Sequence, residues 1–204
     1  MAYLCNLNSI KQIMKKINIL FLLGLISTMG FAQATWSIDP AHSKIGFNVT
    51  HMAISEVEGN FKQFEGTINS KADDFNGAEI TFTAQVASVD TDNEKRDGHL
   101  KSDDFFSAEK FPTISFKGNL VKQGGKYQLK GKLTIKEVTK DVVFDVTYGG
   151  TIDTGKGLKA GFKLAGKINR QDYGLTWSNK MQSGELVVGD IVDISCKLEL
   201  NKAA

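Results

Sequence analysis

Along most of the chain, apolar and polar residues alternate with a period of two. Between positions 42 and 52, Ile45, Phe47 and Val49 alternate with Lys44, Asn48 and Thr50. The same alternation puts Ile80, Phe82, Ala84 and Val86 on one side of the next long segment, then Ile114, Phe116 and Leu120, then Tyr127, Leu129, Leu133 and Ile135. It continues with Val142, Phe144, Val146 and Tyr148, with Leu158, Phe162, Leu164 and Ile168, and with Val192, Ile194, Cys196, Leu198 and Leu200. A strand turns successive side chains to opposite faces, so each segment reads as a strand with one apolar and one polar face. With short strands at 36–38 and 64–69 the count reaches eight or nine. Antiparallel strands with one wet face predict an all-β fold, either a barrel or a sandwich.

The connections fit that class. Gln123-Gly124-Gly125-Lys126, Tyr148-Gly149-Gly150 and Thr154-Gly155-Lys156-Gly157 predict hairpin turns, and Pro40 and Pro112 fall at turns or strand starts. Glycine also recurs inside strands, two positions before an aliphatic residue, at Gly66, Gly118, Gly131 and Gly166. In-strand glycine permits sharp coiling or close backbone approach, which favours a bent, closing sheet and therefore a barrel. The stretch from 92 to 112 lacks the period of two. Asp92 or Asn93 caps a short helix through His99 and Leu100, Ser102 caps a further turn, and Pro112 starts the next strand. These residues predict a helical connector near 93–107 that lies across one end of the barrel.

The N-terminal segment has a different character. Lys15 and Lys16 precede an apolar run from Ile17 to Ile26, and small residues lead to Ala32-Gln33-Ala34. A charged, then apolar, then small-residue order is that of a secretory signal, so residues 1–34 are expected to be removed near Ala34, with Met14 as the expected true start. The apolar run falls short of the roughly 20 residues a membrane span needs. Cleavage leaves residues 35–204, one domain of 170 residues with room for a substantial core, in the periplasm or outside the cell. It also removes Lys11, Lys15 and Lys16 and no acid, so the formal net charge moves from +2 to −1. That excludes an electrostatic case for nucleic acid. Cys196 is then without a disulfide partner, and its place on an apolar face reads as a small buried hydrophobe.

Candidate chemistry is sparse. His42, His51 and His99 lack the close spacing of a zinc motif and no thiolate pair accompanies them, so no metal is expected. Asp39, His42 and Ser43 are neighbours, without the G-x-S-x-G turn that exposes a nucleophile. Asp103 and Asp104 sit at a helical start and read as dipole-compensating surface acids. No glycine-rich phosphate loop is present. Neither a catalytic residue nor a cofactor is expected. What remains is the interior, where the inward phase carries Phe47, Phe82, Phe116, Phe144 and Phe162. An eight-stranded barrel is either filled by its side chains or just wide enough for one small ligand. Periodicity leaves both open.

Four blocks, in this order, resemble the YceI-like family: WSIDPAHSKIGFNVTHMAISEVEGNF, VASVDTDNEKRDGHLKSDDFFSAEKFPTISF, GKLTIKEVTKDV and INRQDYGL. The chain departs from the family pattern at Ala53, Asp103, Glu137 and Asp141, where Gly, Pro, Gly and Pro are usual, so the turn around 137–141 is expected to differ locally. The resemblance implies an exported, lipocalin-like antiparallel barrel of about eight strands. Its apolar tunnel would hold a long amphiphilic lipid, such as a polyisoprenoid, an isoprenoid quinone or a fatty-acid derivative, and the protein would form a homodimer. On this reading Phe47, Val49, Phe82, Val86, Leu100, Phe105, Phe106, Phe111, Ile114, Phe116, Phe144 and Phe162 line the tunnel. His51, Arg96, His99 and Arg170 are candidates to meet a polar or anionic headgroup, with Asp172 a salt-bridge partner for Arg170. The pairs Arg96–Asp97 and Arg170–Asp172 would equally well stitch the connector to the barrel. Two other functions stay open: a stress-response or redox accessory role beside a membrane cytochrome or quinone system, and a lipid-modifying enzyme using His51 or His99.

Overall fold

The structure, a computed structural model, describes residues 33–203. The expected leader lies outside the described residues except for its last two positions. Strand β1 (Ala34–Ile38) and strand β2 (Lys44–His51) are two halves of one long strand, bent at a 3-10 turn, Pro40–His42. Asp39 caps that turn by accepting the Ala41 N–H at 3.0 Å. Strands β3 (Ser55–Phe61) and β4 (Phe64–Ser70) make a second bent strand, and β5 (Glu79–Gln85) and β6 (Val89–Asp90) a third. Five unbroken strands follow: β7 (Thr113–Gln123), β8 (Lys126–Ile135), β9 (Val138–Asp153), β10 (Leu158–Asn169) and β11 (Val188–Lys202).

Every neighbouring pair is antiparallel, and the order is an up-and-down meander. Strand β11 is long enough to close it against both halves of the first strand. Its end pairs with β1 from Ile38↔Leu200 to Trp36↔Lys202, and its start pairs with β2 from His51↔Val188 to Lys44↔Lys197. The result is the expected antiparallel barrel, closed by eight strands. Closure satisfies the backbone groups that an open sheet would leave at its edges.

The turns follow local chemistry. Gly124 (φ +58°) and Gly125 (φ +81°) form the two-residue turn of the β7–β8 hairpin, where two consecutive positive φ values match the strand twist. The expected turn at Tyr148-Gly149-Gly150 is absent: β9 runs straight through it to Asp153. The pair instead serves a β-bulge, with Gly150 at φ +114° opposite a register shift between Gly161 and Phe162. In-strand glycines make room for rings. Gly118 and Gly131 face each other across β7 and β8, and a Cβ on either would lie 2.7 Å from the tip of the Phe116 ring. A Cβ on Gly166 would likewise lie 2.4 Å from the Phe144 ring.

Between β6 and β7 the connector forms helix α1 (Glu94–Lys101), capped by Asn93, whose side chain accepts the Arg96 N–H at 3.0 Å. Turns from Ser102 then carry the chain to Pro112. Two apolar clusters occupy the two ends of the barrel. One gathers Phe61, Phe105, Phe116, Phe144, Tyr173 and Leu175 beneath the α1 end, and the other gathers Trp36, Phe75, Leu120, Phe162 and Leu200 at the far end.

Candidate functional site

The interior between those clusters is hollow. Side chains on the inward phase of several strands are only partly covered, among them Ile45, Phe47 and Val49 of β2, Phe82 of β5, Leu164 of β10 and Ile194 of β11. Inward-facing residues of a filled barrel would be buried; these keep accessible surface because they face a cavity. Its volume is about 250 Å³, near the lower end of the roughly 300–1,000 Å³ usual for ligand pockets. It runs from Phe75, Leu120 and Leu200 at one end to Leu100, Phe106 and Val188 at the other. Its lining is aliphatic and aromatic apart from Gly46, the Cys196 thiol and Arg170.

Of the residues expected on the wall, Phe47, Val49, Phe82, Leu100, Phe105, Phe106, Ile114, Phe116, Phe144 and Phe162 line this cavity. Val86 and Phe111 do not reach it. Val86 leaves the strand for a 3-10 turn, Val86–Ser88, and packs behind the wall at 1% exposure. Phe111 ends the connector and lies under the Lys136 ammonium, 5.9 Å from its ring, at the β8–β9 turn.

The four headgroup candidates occupy separate places. His51 ends β2 on the rung with Val188, off the cavity wall. Arg96 is engaged within its own segment: Nε–H donates to the Thr91 hydroxyl at 2.8 Å and Nη2–H to the Thr91 carbonyl at 2.6 Å. The Thr91 N–H and hydroxyl in turn donate to the buried Asp97 carboxylate at 2.9 and 2.5 Å. Arg96 and Asp97 therefore fasten α1 to the end of β6. His99 pairs through Nε2 with Asp104 at 2.9 Å and stands edge-on to Phe105 and Trp177, at ring separations of 5.0 and 5.1 Å. It backs the wall without lining it.

Arg170 alone of the four lines the cavity, at 3% exposure. Its guanidinium has no donor to spare. Nε–H goes to the Gly189 carbonyl at 2.9 Å, Nη1–H to the Leu175 and Trp177 carbonyls at 2.6 and 2.8 Å, and Nη2–H to the Val188 carbonyl at 3.2 Å and the Asp190 carboxylate at 2.9 Å. Its partner is thus Asp190, twenty residues along, and not Asp172. Burial pulls the Arg170 pKa below its usual value and the Asp190 charge pulls it back up. The five acceptors match the five N–H groups of a guanidinium, so Arg170 clamps the start of β11 and the loop before it to the end of β10.

That loop supplies wall residues the alternation did not single out. Leu175 and Val188 line the cavity, and Trp177 packs on Phe105 at 5.3 Å, joining the loop to the connector across the α1 end. Phe61 of β3, Ile68 of β4 and, at the far end, Phe75 are further contributors not assigned to the wall from sequence. Two further groups are shaped by burial: the Cys196 thiol, on the wall, is raised to about 11, and the Tyr173 hydroxyl to about 12. Asp39, His42 and Glu199 bring three metal-type donors together on the exterior. Lys159 already pairs with both carboxylates, with its ammonium 3.1 Å from Asp39 and 2.6 Å from Glu199.

Comparison with known proteins accords with this architecture. The family model described as a YceI-like domain matches residues 36–200. A UPF0312 protein of Staphylococcus aureus (strain MSSA476) is 32% identical over 173 residues, covering 83% of this chain and 98% of that protein. The crystal structure of the Campylobacter jejuni YceI protein is 34% identical, with a TM-score of 0.66 over 81% of this chain and 96% of that one. A polyisoprenoid binding domain from Saccharophagus degradans shares the fold at 16% identity, with a TM-score of 0.60 over 82% of this chain and 98% of that one. A closed eight-stranded barrel with an apolar lumen, matched by the family model from the first strand to the last, makes this chain a member of the YceI-like family.

Proposed function

We propose that the protein holds the apolar tail of an amphiphilic lipid inside its barrel, after export to the periplasm or beyond the cell. The candidate ligands are polyisoprenoids, isoprenoid quinones and fatty-acid derivatives. The observation that carries this reading is the partly uncovered, apolar inward face of the strands. A barrel that leaves Phe47, Phe82 and Ile194 facing a cavity forgoes packing that a tail of the right width restores. Burial of a hydrocarbon tail is worth roughly 25 cal/mol per Å², or about 0.8 kcal/mol per methylene, so binding needs no polar contact. The likeness in fold to a polyisoprenoid binding domain accords with a long, slender ligand. The headgroup is assigned to the α1 end, and Arg170, the one charged side chain on the wall among the described residues, offers it no hydrogen bond because every donor is engaged. The role is carriage, storage or sequestration, without covalent chemistry.

The test is mass spectrometry on the organic extract of the protein purified natively from its own host. A stoichiometric long-chain lipid is the expected result. A folded protein that yields no lipid, and takes up none when offered polyprenyl alcohols, ubiquinone or fatty acids, overturns the reading.

A further inference from the structure

The far end of the cavity is closed by a feature that strand alternation does not produce. Strands β4 and β5 are joined by a loop, residues 71–78, with Phe75 at its centre. Its φ of +61° lies in the left-handed region, which bulky residues seldom adopt. Its side chain is nevertheless among the most deeply buried, at 1% exposure, and it lines the cavity. The ring meets Trp36 at 5.0 Å, Phe162 at 5.1 Å and Tyr148 at 5.6 Å.

Strain of this kind persists where the surroundings over-determine it, and here they do. The Gly77 N–H donates to the Leu120 carbonyl at 2.8 Å, and the Lys122 N–H donates to the Asn76 side chain at 2.9 Å. The Tyr127 hydroxyl donates to the Asp74 carbonyl at 2.8 Å, and the Lys122 ammonium pairs with the Asp74 carboxylate at 2.9 Å. The loop is therefore fixed to β7 and β8 on both sides of Phe75, with the ring held in the lumen. The hairpins beside it, at 124–125 and 154–157, turn on glycine and send no ring inward.

We propose that Phe75 is the floor of the cavity and sets the length of tail the barrel accepts. The proposal rests on the tail-binding reading above and adds where the tail ends. A tail that reaches the ring is fully buried; a longer one leaves methylenes in water, each worth roughly a factor of four in affinity. Removing the ring frees on the order of 100 Å³, room for about one more isoprene unit.

The experiment offers an equimolar series of linear prenyl alcohols, from farnesol to solanesol, to the wild-type protein and to Phe75→Gly, Phe75→Leu and Phe75→Trp. The bound species are read by native mass spectrometry. Glycine suits the positive φ, so Phe75→Gly removes the ring without adding backbone strain. Its preferred tail is expected to be about one isoprene unit longer than that of the wild type, with the ratio of the two shifted by about tenfold or more. Phe75→Leu should fall between them, and Phe75→Trp should favour a shorter tail. The same length preference in all four proteins, each folded by circular dichroism and cooperative unfolding, overturns the floor while leaving tail binding intact. Failure of the wild type to bind any of the alcohols overturns tail binding and the floor together. Should Phe75→Gly not fold, Phe75→Leu and Phe75→Trp carry the same comparison.

Discussion

Replacing Arg170 separates two roles that look alike in sequence, a clamp and a headgroup ligand. Arg170→Met keeps much of the side-chain volume and removes all five N–H groups. It takes their side-chain donor from the carbonyls of Leu175, Trp177, Val188 and Gly189 and leaves Asp190 Oδ1 with the Gln171 amide at 2.9 Å but without its countercharge. Losing one partner of a buried charge pair costs about 3–5 kcal/mol. The lower end applies here, because the Asp190 side chain is 36% exposed and recovers water. A loss of about 3 kcal/mol lowers the melting temperature of a domain this size by about 6–12 °C. Arg170→Lys keeps the charge but not the planar fork, and an ammonium cannot reach carbonyls on both sides of the guanidinium. It is therefore expected to lose more than half as much stability as Arg170→Met. The assay is urea unfolding followed by circular dichroism, paired with binding of a prenyl alcohol and the matching prenyl phosphate. The clamp predicts that both ligands weaken together as the α1 end loosens. Stability within about 0.5 kcal/mol of wild type in Arg170→Met, with selective loss of the phosphate, would refute it and restore the headgroup role.

Three further expectations follow from local geometry. Gly118→Ala puts a Cβ 2.3 Å from the Lys130 carbonyl oxygen and 2.7 Å from the Phe116 ring, so urea titration should show a loss of about 3 kcal/mol; Gly98→Ala on exposed α1, with open space around it, should instead gain up to about 1 kcal/mol. Hydrogen bonds from His42 and then Lys159 hold the Asp39 carboxyl well below the usual carboxylate range. Its contribution to stability is therefore present above the unfolded pKa of about 3.9 and lost as pH falls through and below it, so the gap between wild type and Asp39→Asn should shrink between pH 5 and pH 2. Parallel curves across that range would count against it. The Cys196 thiol, raised to about 11 by burial, should stay unmodified by iodoacetamide at pH 8 in the native state and react once urea exposes it, as read by peptide mass mapping.

How much of this was legible in the sequence depends on the range of the interaction involved. The strands and their inward faces follow from a local rule, alternation, and so Phe47, Phe82, Phe116, Phe144 and Phe162 could be assigned to the interior. The Asn93 cap and the Arg96–Asp97 stitching also lie within a few residues of their partners. Closure, by contrast, depends on β11 pairing with β1 and β2, at separations of about 140–165 residues that no local pattern encodes. Asp172 is the partner for Arg170 that sequence proximity suggests, two residues away; the 3-10 turn at Arg170–Tyr173 and the return of the loop bring Asp190 instead. The Gly149-Gly150 pair is ambiguous for a related reason, since a glycine pair serves a bulge as readily as a turn and only the register distinguishes them. Phe75 gave one signal, an aromatic residue in an otherwise polar turn, Ala72 to Gly77, which is where an isolated apolar residue has something to explain.

Hollowness was the point that alternation left open, and it has an energetic consequence. An empty apolar cavity costs roughly 24 cal/mol per Å³ relative to a filled one, so a volume of about 250 Å³ forgoes about 6 kcal/mol of packing. Typical domains retain only about 5–15 kcal/mol in total, and among the described residues Cys196 has no disulfide partner to offset the loss. The structure compensates at the ends. Aromatic clusters around Phe75 and around Phe105 and Trp177 are densely packed, and Arg170 and Asp97 tie the α1 end together. The middle is the part left unfilled, and Phe116 and Phe144, buried in the α1-end cluster, edge it in places that Gly118, Gly131 and Gly166 leave free for their rings. Those glycines weaken three strands in order to seat large rings on the wall of a gap, and on the proposed reading the bound tail would supply the packing that the gap forgoes.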